Sequence, residues 1–157
     1  MTIDLDIATA HDMQQLGQRL ARVLTAGDLV VLAGSLGAGK TTLAQGIGRG
    51  LGVRGAITSP TFVIARVHPP LATGPALVHA DAYRIDGPLE IDDLDLDASV
   101  DESVTLVEWG RGLVEGLAPD RLDIEITASD TDTRQVRITA HGPRWDAVDL
   151  AHLLSER

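Results

Sequence analysis

The sequence predicts an α/β fold, a single domain in which a mixed parallel and antiparallel central sheet lies between helices in three layers. Two apolar runs and one glycine-rich loop carry that expectation. Residues 29–33 form a continuous apolar run of the kind found in strands buried on both faces, and a second run, Val104-Thr105-Leu106-Val107, ends at Glu108. Directly after the first run stands Gly34-Ser35-Leu36-Gly37-Ala38-Gly39-Lys40-Thr41, a full match to the phosphate-loop pattern G-x-x-x-x-G-K-[ST]. From Thr42 onward, Leu43, Ile47 and Leu51 fall at helical spacing. Strand, glycine loop and helix in that order are the core unit of a P-loop NTPase-like fold.

The other elements follow along the chain. Residues 10–24 set Met13, Leu16, Leu20, Val23 and Leu24 on one helical face, with Thr9 or Asp12 as a cap. The loop helix ends near the glycines at 50 and 52. Residues 62–67 and 76–81 read as strands, and Pro69, Pro70, Gly74 and Pro75 between them supply the turn of a hairpin-like connection. An antiparallel pair is therefore expected beside the phosphate-loop strand. Residues 88–94 suit a short helix, and the acidic stretch 92–97 reads as a solvated face. Residues 122–126 and 136–139 alternate around the polar stretch 129–132, which predicts a second hairpin, and residues 147–154 suit a closing helix. With no internal repeat and no low-complexity linker, the 157 residues read as one domain, 1–157.

Composition narrows the function. A net charge of −10 argues against strong direct binding to nucleic acid, where affinity comes largely from Lys and Arg neutralising phosphates. The aromatics, Phe62, Tyr83, Trp109 and Trp145, are too few for a base-stacking platform. The absence of cysteine excludes disulfides, thiol nucleophiles and thiolate metal sites. No run approaches the roughly 20 apolar residues that span a bilayer, and the first residues lack a basic segment followed by an apolar one, so a cytoplasmic protein is expected.

The loop chemistry is legible residue by residue. Glycines 34, 37 and 39 let the backbone turn tightly and aim N–H groups at phosphate oxygens, at the positive end of the following helix. Lys40, the only lysine in the chain, adds a mobile positive charge for the outer phosphates, and the Thr41 hydroxyl is placed to ligate the magnesium ion that accompanies them. Hydrolysis needs in addition an acid that holds magnesium or positions water. Glu108, at the carboxyl end of an apolar strand, is the first candidate, and Asp81, at the end of another strand, is the second. Lys40, Glu108 and Asp81 are thus the catalytic candidates, with a strand-end cap the alternative for Asp81, and Thr41 is the candidate metal ligand, beside which Glu108 would hold magnesium or position water. His79 shares a strand face with Asp81, but two residues do not make a metal site.

Four motifs occur in order: Gly34 to Thr42, then Ser59-Pro60-Thr61, then His79-x-Asp81-x-Tyr83-Arg84, then Leu106-Val107-Glu108-Trp109. In a chain this short the set resembles the bacterial TsaE family, formerly YjeE, over roughly residues 8 to 140. That resemblance implies an ATPase required for making threonylcarbamoyladenosine next to the tRNA anticodon, acting with TsaB, TsaD and the enzyme TsaC. It further implies that Gly37, Ala38, Gly39, Lys40, Thr41 and Thr42 surround the phosphates of ATP and that Thr41 and Glu108 ligate Mg2+. Ser59-Pro60-Thr61 would be a switch-like loop, His79 to Arg84 a second motif near the nucleotide, and Trp109 a neighbour that serves activity or partner contact. The family also holds the base near the start of the first helix and with a late arginine, for which Thr9 and Arg134 are the candidates here. Ser35 stands where the family commonly carries Asp, which removes one negative charge from the loop.

From the residues alone, other readings stay open. A small-molecule P-loop kinase uses the same phosphate cradle, but it needs an acceptor pocket and lid arginines. Arg111 and Arg121 follow Glu108 without forming a recognisable lid pair. A nucleotide-gated binding module with negligible hydrolysis is the third.

Overall fold

Alternation and capping build the first elements. Ile3, Leu5 and Ile7 alternate with Thr2, Asp4 and Asp6, and this period-2 stretch forms strand β1, Thr2–Ile7. Helix α1, Ala10–Ala21, starts where Thr9, in extended conformation, accepts a bond from the Asp12 N–H at 3.0 Å. Of the two caps expected, Thr9 is the one used. Strand β2, Leu29–Gly34, is followed by helix α2, Lys40–Leu51, which stops at the left-handed Gly52. Strands β3, Ala65–His68, β4, Ala76–Asp81, and β5, Ser103–Glu108, come next. The hairpin β6, Arg121–Ala128, and β7, Arg134–His141, leads into a short 3-10 turn, Pro143–Trp145, and helix α3, Leu150–Ser155. The computed structural model describes residues 1–34, 38–53, 65–81, 102–108, 120–129 and 131–155. The expected helix at 88–94, the acidic stretch 92–97 and the first three residues of the expected strand 62–67 lie outside these residues.

The strands form one mixed sheet in the order β1-β7-β6-β2-β5-β4-β3. Around β2 the pairing is parallel, to β5 on one side and β6 on the other, and β4 runs parallel to β5. At the two flanks it is antiparallel, β3 to β4 and β1 to β7 to β6. This is the α/β, P-loop NTPase-like architecture that the sequence predicts. Three local expectations are corrected. The antiparallel pair β3–β4 does not lie beside β2, because β5 takes that place. The amino-terminal strand β1 is an addition to the expected elements. The closing helix begins at Leu150, three residues late, because the Asp149 carboxylate accepts from the His152 N–H at 3.1 Å and caps it there.

Helices α1 and α2 pack on one face of the sheet, burying Met13, Leu16, Leu20, Leu43 and Ile47 against Val30 and Leu32 of β2, Leu106 of β5, and Leu122 and Ile124 of β6. Each such side chain contributes about 1.5–3 kcal/mol by leaving water. The two helices run parallel and very close: a Cβ on Gly17 would stand 2.5 Å from the Leu43 carbonyl oxygen, and one on Gly46 would collide with the Gln14 carbonyl. Both N-termini therefore point to the same end of the sheet. Across the other face, Leu29, Val31, Val78 and Val107 are also buried, as parallel strands require. On β1, β6 and β7 that second face is polar and carries the pairs Arg137–Asp4 at 2.8 Å and His141–Asp123 at 2.9 Å. The Asp4 carboxylate raises the affinity of the Arg137 guanidinium for its proton, chiefly through their hydrogen bond. Arg144 closes the far end, donating to both Asp28 oxygens at 3.2 and 3.1 Å and lying over the Trp145 ring at 4.4 Å.

Candidate nucleotide-binding site

Two glycines shape the passage from β2 to α2. A Cβ at Gly34 would stand 2.7 Å from the Ile126 carbonyl oxygen of β6, so a side chain there would push the loop off the sheet. Gly39, the N-cap of α2, holds φ at 116°, in the left-handed region that favours glycine. No side chain caps this helix, and its first internal bond runs from the Leu43 N–H to the Gly39 carbonyl at 2.9 Å. The N–H groups of Lys40, Thr41 and Thr42 consequently have no acceptor within the helix and sit at its positive end. Gly37 lies outside the described residues, as does Ser35.

Lys40 is 8% exposed, and its Nζ donates to the Gly34 carbonyl oxygen at 2.9 Å, bridging the two ends of the loop. The ammonium is thereby held at the loop rather than in solvent. Thr41, half-buried, follows it in the first turn of α2.

The acids come from the neighbouring parallel strands. Glu108 is in register with Leu32 on β2, two residues before Gly34, so β5 delivers its carboxylate beside the strand that feeds the loop. It is 3% exposed and accepts a hydrogen bond from His79 Nε2 at 3.2 Å. Asp81 closes β4 in register with Glu108. Both acidic positions therefore stand side by side at the carboxyl ends of parallel strands, where open α/β sheets bind ligands.

A separate cavity of about 320 Å3 opens between the start of α1, the start of α2 and the start of β7. Thr9, Met13, Ala38, Gly39, Thr42 and Arg134 line it, together with Ile7, Ala8, Ala10 and Asp132. The structure thus brings Thr9 and Arg134, far apart in sequence, to the same cavity as the loop. Its lining is apolar on the Ile7, Met13 and Ala38 side and polar at Thr9 and Arg134, which suits a planar base with a sugar at its edge. Sequence reasoning does not single out Met13 and Asp132 as lining residues; the helical spacing marks Met13 only as core. Nor does it find the His79–Glu108 bond, which depends on β4 and β5 being neighbours. Trp109, Ser59, Pro60, Thr61, Tyr83 and Arg84 lie outside the described residues.

The donor set suits magnesium. Glu108 and Thr41 offer hard oxygen ligands, and among the described residues no three His, Asp or Glu side chains gather into a cage. Magnesium is ordinarily held through one or two carboxylates plus substrate phosphates.

Comparisons with known proteins identify the family and agree with the fold. The family model described as threonylcarbamoyl adenosine biosynthesis protein TsaE matches residues 7–136. A TsaE protein of Streptomyces coelicolor is 59% identical over 146 residues, covering 90% of this chain and 99% of that one. One from Mycobacterium tuberculosis is 50% identical over 132 residues, with 79% of each chain covered, and one from Bacillus subtilis is 39% identical over 121 residues, covering 76% and 74%. The crystal structure of Bacillus subtilis YdiB superposes with a TM-score of 0.76 at 29% identity, covering 99% of this chain and 95% of that one. A phosphate loop between β2 and α2, an acid on the adjacent strand and a family match across most of the chain lead to one assignment: the chain belongs to the TsaE family, P-loop ATPases that serve in making threonylcarbamoyladenosine on tRNA.

Proposed function

We propose that this chain binds Mg-ATP across the β2–α2 junction and hydrolyses it to drive a TsaB–TsaD partner complex through threonylcarbamoyladenosine formation, in the cytoplasm where tRNA is modified. The observation that carries the reading is Lys40, buried at the loop, with Glu108 delivered by the neighbouring strand opposite Leu32, two residues before Gly34. The backbone N–H groups of Ala38, Gly39, Lys40, Thr41 and Thr42, with Gly37 ahead of them, receive the phosphate oxygens. Lys40 exchanges the Gly34 carbonyl for the outer phosphates and balances charge as it builds on the leaving group. Magnesium, held by Thr41 and Glu108, supplies further charge neutralisation on the outer phosphates when bound.

The base and ribose occupy the cavity between Thr9 and Arg134. Met13 and Ala38 cover the base with apolar surface, and Arg134, which lines the same cavity, reaches its polar edge. The Thr9 oxygen already accepts from the Asp12 N–H, which leaves its hydroxyl hydrogen and one lone pair for a ligand. Asp81 acts as a neighbour of Glu108 that tunes the acidic end of the site. The decisive experiment is phosphate release from ATP by the purified chain, alone and with TsaB and TsaD, followed together with tRNA modification. Stimulated hydrolysis and modification that both vanish in Lys40→Ala are expected; modification that proceeds with Lys40→Ala would overturn the reading.

A further inference from the structure

His79 is fully buried on β4, yet it is a poor choice for filling space. Its Nε2 lies 3.2 Å from Glu108 Oε2, while Nδ1 is buried with no hydrogen-bond partner. An ionised carboxylate only accepts, so Nε2 is the donor in this bond, and Nδ1 stays without a partner in the interior. Leucine or valine would pack there without an orphaned atom. What the imidazole offers that they do not is a donor for Glu108.

The register explains the reach. His79 pairs with Leu106, two residues behind the Asp81–Glu108 pair, so the ring extends diagonally from β4 to the carboxylate on β5. Among the described residues it is the sole side chain bonded to Glu108, and it takes one oxygen, leaving Oε1 uncommitted. A carboxylate on a free rotor spends part of its time turned away from a metal; one oxygen held by a buried donor removes that freedom. We propose that His79 is the positioning residue of Glu108: its Nε2–H fixes the carboxylate so that the other oxygen is presented to the metal of the bound nucleotide. The inference rests on the reading of Glu108 as a metal ligand, and it adds a residue that touches neither nucleotide nor metal.

The test uses the full chain with Mn2+ and a non-hydrolysable ATP analogue, with bound Mn2+ read by electron paramagnetic resonance and metal-free nucleotide affinity read by calorimetry. His79→Leu should weaken Mn2+ by roughly 10- to 100-fold, the usual cost of losing an outer-shell partner, and leave metal-free nucleotide affinity unchanged. His79→Gln, which can carry an N–H to nearly the same point, should keep most of the metal affinity, and His79→Asn, whose amide is too short, should not. A folded His79→Leu variant that holds Mn2+ as tightly as the parent, where Glu108→Gln does not, would overturn the inference and leave the metal role of Glu108 standing. If His79→Leu does not fold, equal Mn2+ affinity in the Gln and Asn variants would overturn it. Unchanged Mn2+ affinity in Glu108→Gln would overturn both the ligand reading and this inference.

Discussion

Lys40 is the only lysine in the chain, so the proposed reading places the mobile positive charge of the phosphate loop on one side chain. Replacing it with alanine removes charge-assisted bonds to the phosphates, each worth about 1.5–3 kcal/mol, so ATP affinity should fall at least about tenfold. Its bond to the Gly34 carbonyl lies within the loop, and the fold should survive the change. Unchanged affinity by calorimetric titration of a folded Lys40→Ala protein would contradict the phosphate-loop role. Glu108→Gln separates metal chemistry from binding: the shape stays, the charge goes, and turnover should drop by about 100-fold or more while nucleotide still binds. Asp81→Asn should cost less. An inactive Asp81 variant beside an active Glu108 variant in a phosphate-release assay would reverse the ranking of the two acids. These residues are readable in the sequence because each stands at the end of an apolar run or inside a fixed motif. The His79–Glu108 bond is hidden there because it joins residues 29 apart that meet only once β4 lies next to β5.

At the scale of elements, the parallel contact between α1 and α2 connects stability to the cavity at the start of both helices. Gly46 lies against the Gln14 backbone, and a methyl group there has no flexible side chain to displace. Gly46→Ala should therefore cost about 1–3 kcal/mol, as overpacking does, and lower the melting midpoint by roughly 2–12 °C for a chain of this size. Because the same contact carries Thr9 and Met13 to the mouth of the cavity, nucleotide affinity should weaken along with it. A thermal melt matching the parent would show that the helices yield without strain. Arg134→Ala tests the cavity from the other side, where it should weaken ATP binding with little effect on folding, and equal affinity for ATP and inorganic triphosphate in the parent would place the base elsewhere. Elements with long periodic patterns or continuous apolar runs, α1, α2, β2 and β5, are legible in the sequence. Strand β1 is not, although Ile3, Leu5 and Ile7 alternate, since three apolar residues at a chain end acquire a partner only through β7. The position of β5 between β2 and β4 is likewise a non-local fact that no turn residue announces.

For the whole molecule, charge and topology bear on what the ATPase works upon. The chain carries a net −10, and the polar face of β1, β6 and β7 sets Asp4, Asp6, Asp123 and Glu125 against the arginines 121 and 137. A molecule of that sign repels a polyanion, so tRNA alone should bind weakly and lose what binding it has as salt rises. The proposed route to tRNA accordingly runs through protein partners. On the proposed reading the site offers a phosphate cradle, Lys40 and the acidic positions Glu108 and Asp81, whereas efficient phosphoryl chemistry ordinarily adds an arginine or a water-positioning group, which a partner can provide in trans. The isolated chain should accordingly hydrolyse ATP slowly and transfer no phosphate to a metabolite, with stimulation only when TsaB and TsaD are present. Labelled γ-phosphate appearing on a small metabolite, with no response to those partners, would favour a kinase instead. The same assay in rising salt separates the two contributions: partner stimulation built on packed surface should persist at concentrations that abolish any residual contact between tRNA and this chain.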